Sequence, residues 1–180
     1  GVNVEDVLPL GVTYVSNSAT IQISGAITNV VGDRFNLRSF TNSNGTIPWL
    51  SGWQEFGEAD GVAAGGIQVK ADGTNGVPLE AYALQICNAT RAATRQADLS
   101  GHASATLSFD YRRTGLDGAT DYVDVFISSN GWASSNLLVR LAGAANETNR
   151  TPTNFNVSAY ISTSVGLRFS SSATLVADDF

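Results

Sequence analysis

The sequence predicts an all-β protein, an antiparallel β-sandwich. Three observations carry this: apolar residues recur with period two, turn residues separate the apolar runs, and no stretch sustains a convincing helical face. The nearest approach to a helix, "NATRAATRQADLS", has tolerable spacing but no apolar stripe, and it reads as a strand leading into a loop.

The elements follow in chain order. Residues 1–29 carry three strand-like runs, "VNVEDVL", "VTYVS" and "ATIQISGAI", without a Trp or Phe to build a core of their own. This segment is too small to stand alone and must lean on the remainder or on a neighbour. Further on, "ALQICNA" alternates so that Cys87 is expected inward as a small hydrophobe. "SATLSFDYRR" places Ala105, Leu107, Phe109 and Tyr111 on one face and Ser104, Thr106, Ser108 and Asp110 on the other. "DYVDVFIS" directs Val123, Val125 and Ile127 to one side, leaving Tyr122 and Phe126 as an outward aromatic strip. The same rule gives Phe155, Val157, Ala159 and Ile161 in "NFNVSAYI", then Val165, Leu167 and Phe169 in "SVGLRFS". Between them lie "TGLDGATD", "SSNGW" and "AGAANETNRTPTN", rich in Gly, Asn and Asp. "ATLVADDF" reads as the edge of one more strand, formed by Val176, Ala177 and Phe180, with Asp178 and Asp179 at a turn or metal position.

Composition narrows the function. At 180 residues the chain holds one domain with a full core. Charged residues are 14% and the net charge is −6, which argues against nucleic acid or an anionic membrane as partner. No apolar run approaches the roughly 20 residues that span a bilayer, so no membrane insertion is expected. The polar residues are mainly Ser, Thr, Asn and Gly, with one Lys, a surface typical of an extracellular or cell-surface β protein. The chain has no Met, and no signal pattern follows Gly1, so a processed product or a piece of something longer is expected. The single Cys excludes an internal disulfide and any multi-Cys metal site, leaving a cross-link between molecules as the other use of Cys87.

From about Val30 the sequence resembles a jelly-roll module of large bacterial surface proteins and adhesins, related to MAM-like and carbohydrate-binding-like folds. The resemblance rests on "VGDRFNLRSFTNSNGTIPWLSGWQEFGEADGVAAGGIQV", "RQADLSGHASATLSFDYRRTGLDGATDYVDVFISSNG", "NVSAYISTSVGLRFSSS" and "ADDF", in that order. It implies a sandwich of jelly-roll type over 30–180, with 1–29 as a β extension and no generally assigned catalysis. Members of that family continue past the acidic pair with a strand of the form F-Y-x-D-N-V-x-I, which this sequence lacks. Val2 to Leu8, "VNVEDVL", has the same rhythm, and "VEDVLPLGVTYVS" resembles the opening of a bacterial surface repeat domain.

Three ways of closing the seam stay open: Val2, Val4, Val7 and Leu8 donated by a neighbouring copy, the same segment folding back, or further chain beyond Phe180. Seating both Val4 and Val7 needs a bulge near Asp6. Donation makes a head-to-tail homopolymer, a structural subunit of an extracellular filament or surface assembly. The alternative is a non-catalytic adhesin module gripping glycans or another surface protein.

Jelly rolls of this kind often hold one structural Ca²⁺ where first and last strands meet. That implies Asp33, Asp178 and Asp179 as ligands, completed by Glu5 or Asp6. Asp117, Asp121 and Asp124 form a second acidic group, though turn-forming solvated Asp is the commoner use. Sugar contact falls to Trp132, Tyr122 and Phe126 if their rings are exposed; Trp49 and Trp53 share a face unless Gly52 makes a bulge, and at least one fills core. Asn44, Asn88, Asn146, Asn149 and Asn156 each open an N-x-S/T sequon and are candidate glycosylation sites. Glu55 and Glu58 are the one conceivable acid/base pair, and His102, the only histidine, sits in a turn; no enzyme is expected.

Overall fold

A computed structural model describes residues 29–71, 82–143 and 145–175. They form nine strands: β1 (Gln54–Phe56), β2 (Ile67–Ala71), β3 (Tyr82–Ile86), β4 (Ala92–Ala97), β5 (Thr106–Tyr111), β6 (Tyr122–Ser128), β7 (Asn136–Ala142), β8 (Thr151–Asn156) and β9 (Val165–Ser171). Every strand pairing is antiparallel. Five strands make one sheet in the order β1-β4-β9-β6-β7; β2 pairs with β3 and β5 with β8. Among the described residues no helix is long and apolar enough to cross a membrane.

Alternation decides which face is core. Val123, Val125 and Ile127 on β6 and Leu167 and Phe169 on β9 point to one side of the five-stranded sheet, as their period dictates. Ile67 of β2 and Ile86 of β3 meet them, with Leu107, Phe109 and Tyr111 of β5 packed alongside. Phe109 meets Phe169 edge-on at 5.2 Å between ring centroids, joining the two layers. The architecture is therefore a β-sandwich. Its second layer consists of two separate pairs, β2–β3 and β5–β8, with no ladder between them among the described residues.

Three local expectations need correction. Strand β8 stops at Asn156, and Ser158–Tyr160 form a 3₁₀ turn, so Ala159 and Ile161 do not continue its apolar face. The cause is polar: the Ser158 hydroxyl accepts from Ala105 N–H, while Ser158 N–H donates to Asn156 Oδ1. Side chains thus take ladder bonds and turn the chain. On β3 it is Ile86, not Cys87, that enters the core; Cys87 lies only partly buried beyond the strand. Trp49 and Trp53 share no strand, because both precede β1 in irregular chain. The readings of β4 as a strand and of Leu107, Phe109 and Tyr111 as one inward face agree with the structure.

The arm over 29–53 closes one end of the sandwich with almost no ladder. A single parallel bridge joins Val31 to Ile47. Isolated main-chain bonds, such as Asn44 N–H to Gly32 O, Trp53 N–H to Phe40 O and Leu50 N–H to Gln96 O, are joined by side-chain ones: Asn44 Oδ1 accepts from Arg34 N–H, and Asp33 Oδ1 from Phe35 N–H. The arm is pinned to β4 by Arg95, which lies on the inner face at 1% exposure. Its guanidinium donates to Asp33 Oδ2 at 2.7 Å, Ser51 O at 2.9 Å and Asn42 O at 2.6 Å.

Removing Asp33 leaves that buried cation without its counter-charge. Asp33→Ala is expected to lower unfolding stability by about 3–5 kcal/mol, while the double replacement Asp33→Leu with Arg95→Met loses much less. Urea unfolding of both variants checks this; equal losses would show that packing rather than charge holds the arm.

Candidate functional site

The residues expected to bind calcium or sugar fall in three places. Asp33 lies within the arm, 3% exposed, with its carboxylate fully engaged. Oδ1 accepts from Phe35 N–H and Asn42 Nδ2; Oδ2 accepts from Trp53 Nε1 and Arg95 Nη1. Its lone pairs are thus directed at four donors, and none is left to coordinate a cation. The other expected ligands, Asp178, Asp179, Glu5 and Asp6, lie outside the described residues, as do Val2, Val4, Val7 and Leu8. Of the second acidic group, Asp121 closes its own turn by accepting from Gly118 N–H, and Asp124 is taken by an arginine.

The three candidate sugar-contact rings do share one surface, the outer face of the five-stranded sheet. Each carries a guanidinium on a ring face. Arg140 lies 3.7 Å from the centroid of Tyr122 and makes a two-point ion pair with Asp124, its cross-strand partner, at 2.8 Å through both Nε and Nη2. Arg168 of β9 stands opposite Phe126 of β6 and lies 5.1 Å from its ring and 4.6 Å from that of Trp132. The aromatic strip therefore exists, but arginines line it. Beside Tyr122 and Arg140, a cleft of about 310 Å³ is lined by Thr120, Ser172 and Thr174.

Trp132 reaches this face through a bolted turn between β6 and β7. Ser128 Oγ accepts from Trp132 N–H at 3.0 Å and donates to Asn130 Oδ1, which also accepts from Ser134 N–H. Gly131 and Trp132 both take left-handed backbone conformations, at φ +65° and +71°. The indole comes down on Gly166, where an added Cβ would stand 2.6 Å from its ring. Gly166 is the seat of Trp132.

One grouping was visible in the sequence only in part. Glu55 and Glu58 converge with Asp60, a carboxylate oxygen of each lying within 4.8 Å of the others. Glu58 is already committed: Gly66 and Ile67 N–H donate to it, and Arg91 pairs with it at 2.8 Å. Glu55 Oε2 accepts from Gly61 N–H, while Oε1 is buried without a partner among the described residues. The signal that would have found Asp60 is the pair of left-handed glycines, Gly61 and Gly65, which fold the loop back.

Of the five sequons, Asn88, Asn146, Asn149 and Asn156 are exposed. Asn44 is built into the arm: its Nδ2 donates to Asn36 Oδ1, and its Oδ1 accepts from Asn42 and Arg34. A glycan on that nitrogen would displace the network.

Burial, and then the neighbouring Asp60 and Glu58, push the Glu55 carboxyl above its ordinary value against the opposing Gly61 hydrogen bond. An acid raised in the folded state binds its proton more tightly there, so stability falls as pH rises from the ordinary Glu range through the raised value. Glu55→Gln is expected to raise the urea midpoint at pH 7 and to flatten that slope. A midpoint lowered by the change would show that the ionised form is compensated. The Glu147 carboxyl has the opposite sign. The Arg113 hydrogen bond holds it below its ordinary value, so its contribution is present above the ordinary Glu range and lost as pH falls through the depressed one. Glu147→Gln should remove part of the acid limb of the stability profile. Compared with known proteins, the chain matches no family model and no curated sequence.

Proposed function

We propose that this chain is a non-catalytic structural subunit of an extracellular bacterial assembly, in which a strand from residues 1–29 of one copy completes the jelly-roll sandwich of the next. The observation that supports this most is the divided second layer. Among the described residues β2–β3 and β5–β8 face the same sheet without a ladder between them, and Leu84, Leu107, Phe109 and Tyr111 are only partly buried around the core. An extended segment with alternating apolar side chains supplies what such a layer lacks, main-chain pairing and plugs. Val2, Val4, Val7 and Leu8 have that character. Because donor and acceptor surfaces differ, the contact is head-to-tail and propagates.

A second reading, a non-catalytic adhesin module, is favoured by the outer face, where Tyr122, Arg140, Phe126, Arg168 and Trp132 form a row beside the Thr120–Thr174 cleft. Size-exclusion chromatography separates the two. Deleting Gly1–Pro9 is expected to convert polymers to monomers, and a peptide spanning Val2–Pro9 to bind the truncated protein in about one-to-one ratio. An elution volume unchanged by the deletion would end the strand-donation reading, as would a full chain that is monomeric at all concentrations.

A further inference from the structure

We propose that Arg168, held between Phe126 and Trp132 on the outer face of the five-stranded sheet, is the recognition group of a carboxylate-binding site. The inference stands apart from strand donation. Four other described arginines, Arg91, Arg95, Arg113 and Arg140, each face a carboxylate at 2.6–2.8 Å. Arg168 faces none among the described residues; its neighbours are two ring faces. Rings balance part of a guanidinium's charge but accept no in-plane hydrogen bond of ordinary strength.

Two donors there are orphaned. Arg168 Nε and Trp132 Nε1 are both buried with no acceptor among the described residues. An unmet buried donor costs about 1–3 kcal/mol, so two in one cluster leave an uncompensated positive potential beside the terminal nitrogens of the guanidinium, which an anion at the surface would offset. Both belong to rigidly held groups. Arg168 is fixed by its cross-strand position opposite Phe126, and Trp132 by the Ser128 bond and its seat on Gly166. The ligand this guanidinium fits is planar, anionic and two-pronged: a carboxylate meeting its terminal nitrogens at the rim of Trp132, with the indole ring as the wall beside it. A pyranose ring attached to that carboxylate would extend along the aromatic row, so an acidic sugar and a simple carboxylate are the two sources of the same chemistry.

The test uses the full chain labelled with ¹⁵N, observing indole and arginine Nε–H signals, with Trp132→Phe to assign the indole. Sodium glucuronate, sodium acetate, glucose and sodium chloride are titrated at matched ionic strength. Both carboxylates are expected to shift the Trp132 and Arg168 signals saturably, and glucose and chloride to leave them in place. Tighter binding of glucuronate than acetate identifies an acidic sugar as the source, and equal binding a bare carboxylate. Arg168→Lys, which keeps the charge and the aliphatic stem but loses the planar fork, should weaken binding by about tenfold or more. Equal shifts from chloride or glucose, no saturation, or an Arg168→Lys chain that binds as tightly would overturn the proposal. If that variant does not fold, the comparison of acid with neutral sugar on the unaltered chain decides.

Discussion

The buried pair between Asp33 and Arg95 is the constraint on which the closed end of the sandwich depends. A guanidinium on the inner face of β4 has lost its water, and burial pulls its pKa down while Asp33 pulls it back up. Desolvating two ions costs several kcal/mol, so the pair stabilises only with every donor and lone pair satisfied. The arm over 29–53 gives each guanidinium nitrogen of Arg95 and both carboxylate oxygens of Asp33 a partner. Ser51 and Asn42 supply carbonyls, Asn42 and Trp53 supply donors, and the rings of Trp49 and Trp53 lie 4.7 and 5.7 Å from the cation. Irregular chain has no ladder to fix its path. Here a buried charge and isolated main-chain bonds such as Trp53 N–H to Phe40 O fix it instead, with Trp53 against Phe169 at 6.1 Å.

Arginine and aromatic side chains recur across the molecule with different consequences. Beside Trp49 and Trp53 the cation is wholly enclosed and each of its nitrogens has an acceptor, so it is structural. Over Tyr122, Arg140 has a side chain about half exposed and rests on Asp124; solvent screens such a pair, which adds little stability. Between Phe126 and Trp132 the enclosure is partial, and no acceptor meets Arg168 Nε among the described residues. Only the third combines a shielded charge with unmet hydrogen-bonding capacity, and this sets it apart from the other two.

The sequence foretold what alternation governs. Strands β5, β6 and β9 have one-sided apolar patterns, and their inward residues are those the period selects. What it concealed depends on side chains standing in for backbone partners. Arg95 reads as a surface residue in "ATRQA", because nothing local announces that Asp33, 62 positions earlier, will neutralise it. Asn156 and Ser158 look innocuous in an alternating run, yet their polar atoms end β8. The candidate site was half visible: the outward placement of Tyr122 and Phe126 follows from period two, but the arginines over them come from β7 and β9 through strand register. Trp132 joins them through two left-handed residues that no pattern of hydrophobicity encodes.

The divided second layer also bears on what kind of contact could complete it. Leu84, Leu107, Phe109 and Tyr111 are already largely covered, so burying the rest of their surface yields only a few kcal/mol at about 25 cal/mol per Å². Ordering a seven-residue strand costs about 1–2 kcal/mol per residue in backbone freedom alone. Burial at the acceptor therefore does not carry an incoming strand. The difference must come from the strand's own apolar side chains and from paired N–H and C=O groups along both flanking strands. A single small ligand or a lone loop offers neither in sufficient number. An extended segment carrying Val2, Val4, Val7 and Leu8 offers both, and for that reason the occupant we propose is a strand rather than a compact partner.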